Sequence, residues 1–134
     1  MQNTKNIIEL YYQHFNNGDM PNMLGLLHDE VAHDVNQGSR QVGKPLFSQF
    51  MEHMNNCYKE NIHHLTIMVS EDGKKAAAEF IVDGTYLKTD SGLPTANNQT
   101  YSVPCGTFFE MKDGKITRVT TYYNLNEWIK QVNG

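Results

Sequence analysis

The spacing of apolar residues changes once along this chain, and that change limits the folds available to it. In the first third, apolar residues recur at spacings of three and four, in a stripe formed by Ile7, Ile8, Tyr11, Tyr12 and Phe15. This spacing predicts an amphipathic helix. From His63 onward, apolar residues alternate with more mixed neighbours, which is the period of a strand with one buried face. Helices followed by consecutive strands predict an α+β domain.

Capping residues divide the helical part into three predicted helices. Asn16-Asn17-Gly18 predicts the end of the first helix, because Asn and Gly tolerate the left-handed backbone of a C-terminal cap. Asp19 predicts the N-cap of a second helix, with Pro21 in its first turn. We expect a strand over residues 31–36, followed by a third helix that Gly43-Lys44-Pro45 begins.

Turn residues divide the remainder into strands. Glu71-Asp72-Gly73 and Lys112-Asp113-Gly114-Lys115 predict hairpin turns. The predicted strands are residues 63–69, 75–88, 99–111 and 116–124, and a polar loop covers residues 89–98. An amphipathic tail carries Trp128. Helices on one face of a curved antiparallel sheet leave a cavity between the two layers.

Composition excludes several classes of protein. A net charge of −4 without a basic run gives no electrostatic basis for binding nucleic acid or an acidic membrane surface. No apolar stretch is long enough to span a bilayer, and residues 1–9 do not form a signal peptide. Cys57 and Cys105 match no metal-binding spacing, which favours buried free thiols. We therefore expect one cytoplasmic domain over residues 1–134.

The order of elements, with Asn-Gly-Asp between the first two helices, resembles the fold shared by nuclear transport factor 2, the ketosteroid isomerases and the SnoaL-like polyketide cyclases. The strings at 33–38, 76–80, 92–94 and 113–125 are similar to ketosteroid isomerase-related proteins. The resemblance implies a cone-shaped barrel, in which three N-terminal helices pack on a curved, mainly antiparallel sheet. This fold hosts isomerases, cyclases and binding modules, so it does not fix the activity.

The ketosteroid isomerases of that family use one Asp as the base. A Tyr and a second, protonated Asp donate hydrogen bonds to the enolate oxygen. The resemblance places the Tyr at Tyr11, the protonated Asp at Gly106, and the base at Asp34 or Val35. Gly106 has no side chain. Steroid isomerisation by the family mechanism is therefore not expected.

His33 and Asp34 are neighbours on a predicted strand, so their side chains point to opposite faces. If Asp34 and Asn36 face inward, Asp34 is a general base whose pKa is raised by burial. If His33 faces inward with Val31 and Val35, the imidazole is the titratable group of the cavity. The valines favour the second arrangement, whereas the resemblance favours the first.

The resemblance also implies the walls of the cavity. It places Phe80, Val82 and Tyr86 inward, with Glu79, Ile81 and Asp83 outward. Further expected contacts to the ligand are Asn36, Phe50, Phe108 and Tyr123. Such a pocket suits a small hydrophobic molecule that carries one or two oxygens.

The opposite face of the sheet is expected to carry Ile81, Val103, Cys105 and Tyr122. That face would expose apolar area unless a second subunit covers it. We therefore expect a homodimer through the outer sheet face.

These observations favour a SnoaL-like isomerase, cyclase or lyase that performs acid–base chemistry next to a carbonyl without a cofactor. Asp34 or His33 would be the base, and Tyr11 would stabilise the enolate. The histidines at 14, 28, 53, 63 and 64 show no metal-ligand spacing, so we expect no metal. The alternative is a non-catalytic ligand-binding or dimerisation module on the same fold.

Overall fold

The computed structural model describes residues 3–36 and 38–133. Within these ranges, the helices are α1 (Thr4–Asn17), α2 (Met20–Leu24), α3 (Lys44–Cys57) and α4 (Leu125–Asn133). The strands are β1 (Leu27–Asp34), β2 (Arg40–Val42), β3 (Tyr58–Val69), β4 (Lys75–Tyr86), β5 (Gln99–Lys112) and β6 (Lys115–Tyr123).

The predicted capping residues set the ends of the first two helices. Gly18 adopts φ 70°, in the left-handed region, and its amide bonds back to the last turn of α1. The Asp19 carboxylate then accepts the Asn22 amide at 3.3 Å and caps α2. The apolar stripe of α1 is buried at Ile7, Ile8, Tyr11 and Tyr12 and partly buried at Phe15, as its spacing predicts.

The strands form one mixed sheet in the order β2-β1-β6-β5-β4-β3. Only the β1–β6 pairing among the described strands is parallel, which confirms the expected mainly antiparallel α+β architecture. Two features differ from the sequence prediction. β1 spans Leu27–Asp34 instead of the predicted residues 31–36. A register shift between Leu27 and Ala32 interrupts its burial alternation, so the first part of the strand shows no period of two. The three-residue β2 was not predicted, because three residues are too short to show a period.

The expected face assignment of β5 is wrong by one residue. Val103 and Cys105 are buried on the inner face, whereas Phe108 is 44% exposed on the outer face. Apolar residues occupy both faces of β5, so alternation alone does not identify the buried one. Pairing with β4 decides it, since Phe80 lies opposite Cys105 and Val82 lies opposite Val103.

The core lies between the helices and the inner face of the sheet. From α1, Tyr11 contacts the ring of Phe109 at 5.5 Å between centroids, and Tyr12 contacts Phe80 at 5.0 Å. From α4, Trp128 packs edge-on against three tyrosines of the sheet, Tyr58, Tyr86 and Tyr101. No helix within the described ranges has the length and apolarity that a membrane crossing requires.

Candidate functional site

A cavity of about 840 Å³ lies between the helices and the sheet. Its volume is within the range of about 300–1,000 Å³ that is common for small-molecule sites. Apolar and aromatic side chains make most of the wall, including Tyr12, Phe15, Phe47, Met51, Ile62, Val103, Val119 and Leu125. The cavity therefore suits a largely hydrophobic ligand, and its few polar groups decide what chemistry it supports.

Tyr11 borders this cavity from the buried face of α1. Its ring is fixed edge-on between Tyr12 and Phe109. Burial raises the pKa of the Tyr11 hydroxyl above its ordinary value, so the group stays protonated at neutral pH. Tyr11 can therefore donate a hydrogen bond to a ligand oxygen but cannot act as a base.

His33 points into the cavity from β1, and 5% of the residue is exposed. Its ring packs against Phe47 and Phe50, with centroids 4.7 and 4.6 Å away. Burial lowers the pKa of His33 to about 4, an effect that the nearby Asp34 charge opposes. The Nδ1 atom is buried without a hydrogen-bond partner among the described residues. His33 is thus a neutral imidazole inside an aromatic wall.

Asp34 does not have the raised pKa that one of the two arrangements predicted. Although the residue borders the cavity, its carboxylate accepts hydrogen bonds from Arg40 at 2.6 and 3.0 Å and from the Thr120 hydroxyl. The hydrogen bond from Arg40 is the largest cause that lowers the pKa of Asp34, to about 2. The expected rise in pKa is wrong because β2, which the sequence did not reveal, brings Arg40 opposite Asp34.

We expect His33 to make folding stability depend on pH between about 6.5 and about 4. Its pKa is lower in the folded state, so the unfolded chain binds the proton more tightly, and stability is lost as pH falls through this window. Urea unfolding at pH 7 and pH 4.5 gives the free energy of unfolding at each pH, and the decrease that His33 causes should be absent from His33→Gln. His28→Gln, on the same strand, should retain it. Equal pH dependence in His33→Gln and the unmodified protein would contradict the buried neutral imidazole.

Glu60, which the sequence reasoning missed, is a half-buried carboxylate in the wall of the cavity. It lies on β3 between the inward-facing Tyr58 and Ile62. Burial raises the pKa of Glu60 above its ordinary value, and the hydrogen bond from Tyr101 partly opposes this. The Tyr101 hydroxyl donates to the carboxylate at 2.6 Å. Starting the predicted strand at residue 58 instead of 63 would have revealed the inward position.

A glycine makes the Glu60–Tyr101 contact possible. Glu60, Gly84 and Tyr101 lie directly opposite one another on β3, β4 and β5. The Tyr101 ring crosses over Gly84 to reach Glu60, and a Cβ on Gly84 would lie 2.3 Å from both Cζ and the hydroxyl oxygen of Tyr101. Gly84 is therefore required for this row of three residues.

Glu60 and Tyr101 also border a second opening of about 730 Å³, beside Lys59 and Asp83. The carboxylate thus lies in the wall between the cavity and this opening. Glu60 can therefore be reached from the cavity and from the second opening.

The other expected ligand contacts divide into two groups. The cavity is bordered by Asn36, Phe50, Phe80, Val82 and Tyr123. Tyr86 and Phe108 do not border it. The Tyr86 hydroxyl bonds instead to the 89–98 loop, through the carbonyl of Pro94 and the amide of Asp90. Phe108 packs against Tyr122 on the outer face, because the register of β5 is shifted by one residue from the expected one.

Comparison with known proteins identifies the family. The model of the SnoaL-like domain matches residues 8–119. A Pseudomonas putida structure named "putative polyketide cyclase" is 53% identical with a TM-score of 0.97, over 98% of this chain and 99% of that chain. One from Silicibacter sp. with the same name is 50% identical with a TM-score of 0.96, over 100% and 98%. None of the curated proteins matches this chain.

A more distant structure shares the fold alone. TerC, co-crystallised with polyporic acid, is 16% identical with a TM-score of 0.78, over 98% of both chains. The fold is the one expected from the order of elements, that of nuclear transport factor 2. The chain belongs to the SnoaL-like domain family.

Proposed function

We propose that this protein is an enzyme that transfers a proton next to a carbonyl group of a small hydrophobic molecule, without a cofactor, with Glu60 as the base. The observation that carries this proposal is the half-buried Glu60 carboxylate in the wall of a largely apolar cavity, where Tyr101 orients it across Gly84. A base works best when its pKa lies near the working pH, and burial moves the pKa of Glu60 in that direction.

In the proposed step, Glu60 takes a proton from the carbon beside the carbonyl. The electron pair of that C–H bond forms the C=C bond of an enolate, and negative charge moves to the carbonyl oxygen. Tyr11, which stays protonated, donates a hydrogen bond to this oxygen, and such a bond is stronger in a dry cavity than in water. Return of the proton from Glu60 to a carbon conjugated with the enolate completes an isomerisation. Attack of the enolate carbon on a second carbonyl forms a C–C bond, and the resulting alkoxide takes the proton from Glu60, which completes a cyclisation.

The family supports a small oxygen-bearing ligand. The relatives about half identical to this chain carry a cyclase name, and cyclisation of a polyketide uses the enolate chemistry described above. TerC was crystallised with polyporic acid.

Cys57 and Cys105 are buried free thiols, which fits the reducing cytoplasm that we propose as the location.

Solvent exchange tests the proposal without knowledge of the natural substrate. Cyclic enolisable ketones and aromatic 1,3-diketones are incubated with the protein in D₂O, and the loss of α-proton signals is followed by NMR. At least one class should exchange faster than in buffer. Ligands that bind with dissociation constants in the micromolar range but exchange at the buffer rate would instead support the alternative, a non-catalytic binding module.

We also propose a homodimer through the outer sheet face. Phe108 and Tyr122 pack edge-on there with centroids 5.9 Å apart and are 44% and 59% exposed. Ile81 and Pro104, opposite each other on β4 and β5, extend this face. A second copy of the chain would cover these apolar groups.

Sedimentation velocity should give the mass of a dimer for the unmodified chain and the mass of a monomer for the double variant Phe108→Ser with Tyr122→Ser. Leu46→Ser, which changes an exposed apolar residue of α3 on the helical side, should remain dimeric. A monomeric unmodified chain at micromolar concentration would contradict the proposed interface.

A further inference from the structure

Three side chains that can bind a metal converge at the end of α3. His53 and Cys57 are four residues apart, so they lie on the same face of this helix. Asp90 approaches them from the 89–98 loop. Their ligand atoms, one nitrogen, one sulfur and one oxygen, all lie within 4.8 Å of one another. The spacing of histidines alone could not predict this group, because Asp90 joins it only through the fold.

Hydrogen bonds hold the group in place. The Asp90 carboxylate lies 2.9 Å from Nε2 of His53, and its other oxygen accepts the Tyr58 hydroxyl at 2.8 Å. The backbone carbonyl of Cys57 accepts the amides of Leu87 and Lys88 at 2.7 and 3.3 Å, which fastens the start of the loop to the helix end. A metal ligand that a neighbouring group orients in this way binds more tightly than a free one.

The donor set matches the chemistry of zinc. Zinc binds thiolate, imidazole and carboxylate at about 2.0–2.3 Å in tetrahedral geometry, and a site with three protein ligands keeps a fourth position for water. Such bond lengths put neighbouring ligand atoms about 3.5 Å apart, so the present cluster needs to contract by little more than about 1 Å. A thiolate and a carboxylate together neutralise the charge of the zinc ion. The nearby Lys88 ammonium repels the ion and opposes its binding.

We propose that His53, Cys57 and Asp90 bind one zinc ion, which fastens the 89–98 loop to α3 beside the cavity. Binding releases the thiol proton of Cys57 and replaces the hydrogen bond between His53 and Asp90 with two metal–ligand bonds. This site is separate from Glu60 and Tyr101. Zinc binding here is therefore independent of the proposed proton transfer, which is assayed on metal-free protein.

Cobalt(II) is the probe for this site, since it takes zinc positions and has an absorption spectrum. Addition of one equivalent to the metal-free full chain should produce the near-ultraviolet thiolate-to-cobalt band and the intense visible bands of a tetrahedral ion. Zinc should abolish both by displacement. Cys57→Ser should lose the thiolate band, whereas Cys105→Ser, which changes the other buried free thiol, should keep it. A band that survives in Cys57→Ser, or its absence from the unmodified chain, would overturn the proposal.

A second variant tests the site even if Cys57→Ser does not fold. His53 is half exposed at the surface, so His53→Ala should leave the fold intact. Zinc at 100 times its dissociation constant should raise the free energy of unfolding of the unmodified chain, so that thermal unfolding shifts to higher temperature. His53→Ala should show no shift at the same zinc concentration. An equal shift in both proteins would assign the bound zinc to a different place and overturn the site.

Discussion

Replacement of Glu60 by Gln is expected to lower the rate of α-proton exchange by about 10²- to 10⁴-fold, the usual contribution of a positioned general base. Gln has nearly the volume of Glu, and its carbonyl oxygen can still accept the Tyr101 hydroxyl that now bonds to the carboxylate at 2.6 Å. The variant therefore removes the base and keeps the row of side chains. NMR exchange rates and ligand dissociation constants, measured together, separate loss of chemistry from loss of binding.

Two matched variants test whether the effect belongs to Glu60. Glu79→Gln makes the same change at an exposed position on the outer face of β4 and should retain full exchange activity. Asp34→Asn should also retain it, because Arg40 and Thr120 hold that carboxylate and its pKa is about 2. Loss of exchange in Asp34→Asn with normal exchange in Glu60→Gln would reverse the assignment and restore the first arrangement considered for β1.

The contrast between Asp34 and Glu60 shows what could be predicted from the sequence. Local signals were sufficient for the helices: the α1 stripe, the left-handed Gly18 and the Asp19 cap all depend on residues within one or two turns. The inward positions of Phe80 and Val82 followed once the family resemblance set the register of β4. The fold class and the existence of a cavity were therefore within reach.

What the sequence could not show are contacts between residues far apart in the chain. Arg40 reaches Asp34 through a three-residue strand too short to have a period, and this contact is the largest cause of the low pKa of Asp34. Glu60 and Tyr101 are 41 residues apart and meet because two strand registers align them with Gly84. β5 carries apolar residues on both faces, so only its pairing with β4 separates Phe108 from Phe109.

Gly84→Ala is expected to lower the free energy of unfolding by about 1–3 kcal/mol, the usual cost of forcing extra volume into a packed site. The new methyl group would lie 2.3 Å from Cζ of Tyr101, so the ring must move. Tyr101 has little room to do so, because it is 5% exposed and packs against Trp128. Displacement of the ring breaks the hydrogen bond to Glu60. Urea unfolding measures the first effect.

The pH dependence of exchange measures the second effect, with a defined sign. The Tyr101 hydrogen bond stabilises the ionised carboxylate and lowers the pKa of Glu60 against the effect of burial. Its loss in Gly84→Ala should raise that pKa, so the rise of exchange rate with pH moves to higher pH. Gly106→Ala is the matched control on β5, where the nearest atom to a new Cβ, the carbonyl oxygen of Ala78, is 3.9 Å away. It should keep both the stability and the pH profile. If both alanine variants behave alike, Gly84 has no special part in positioning Tyr101, and the row of three residues does not explain the orientation of the base.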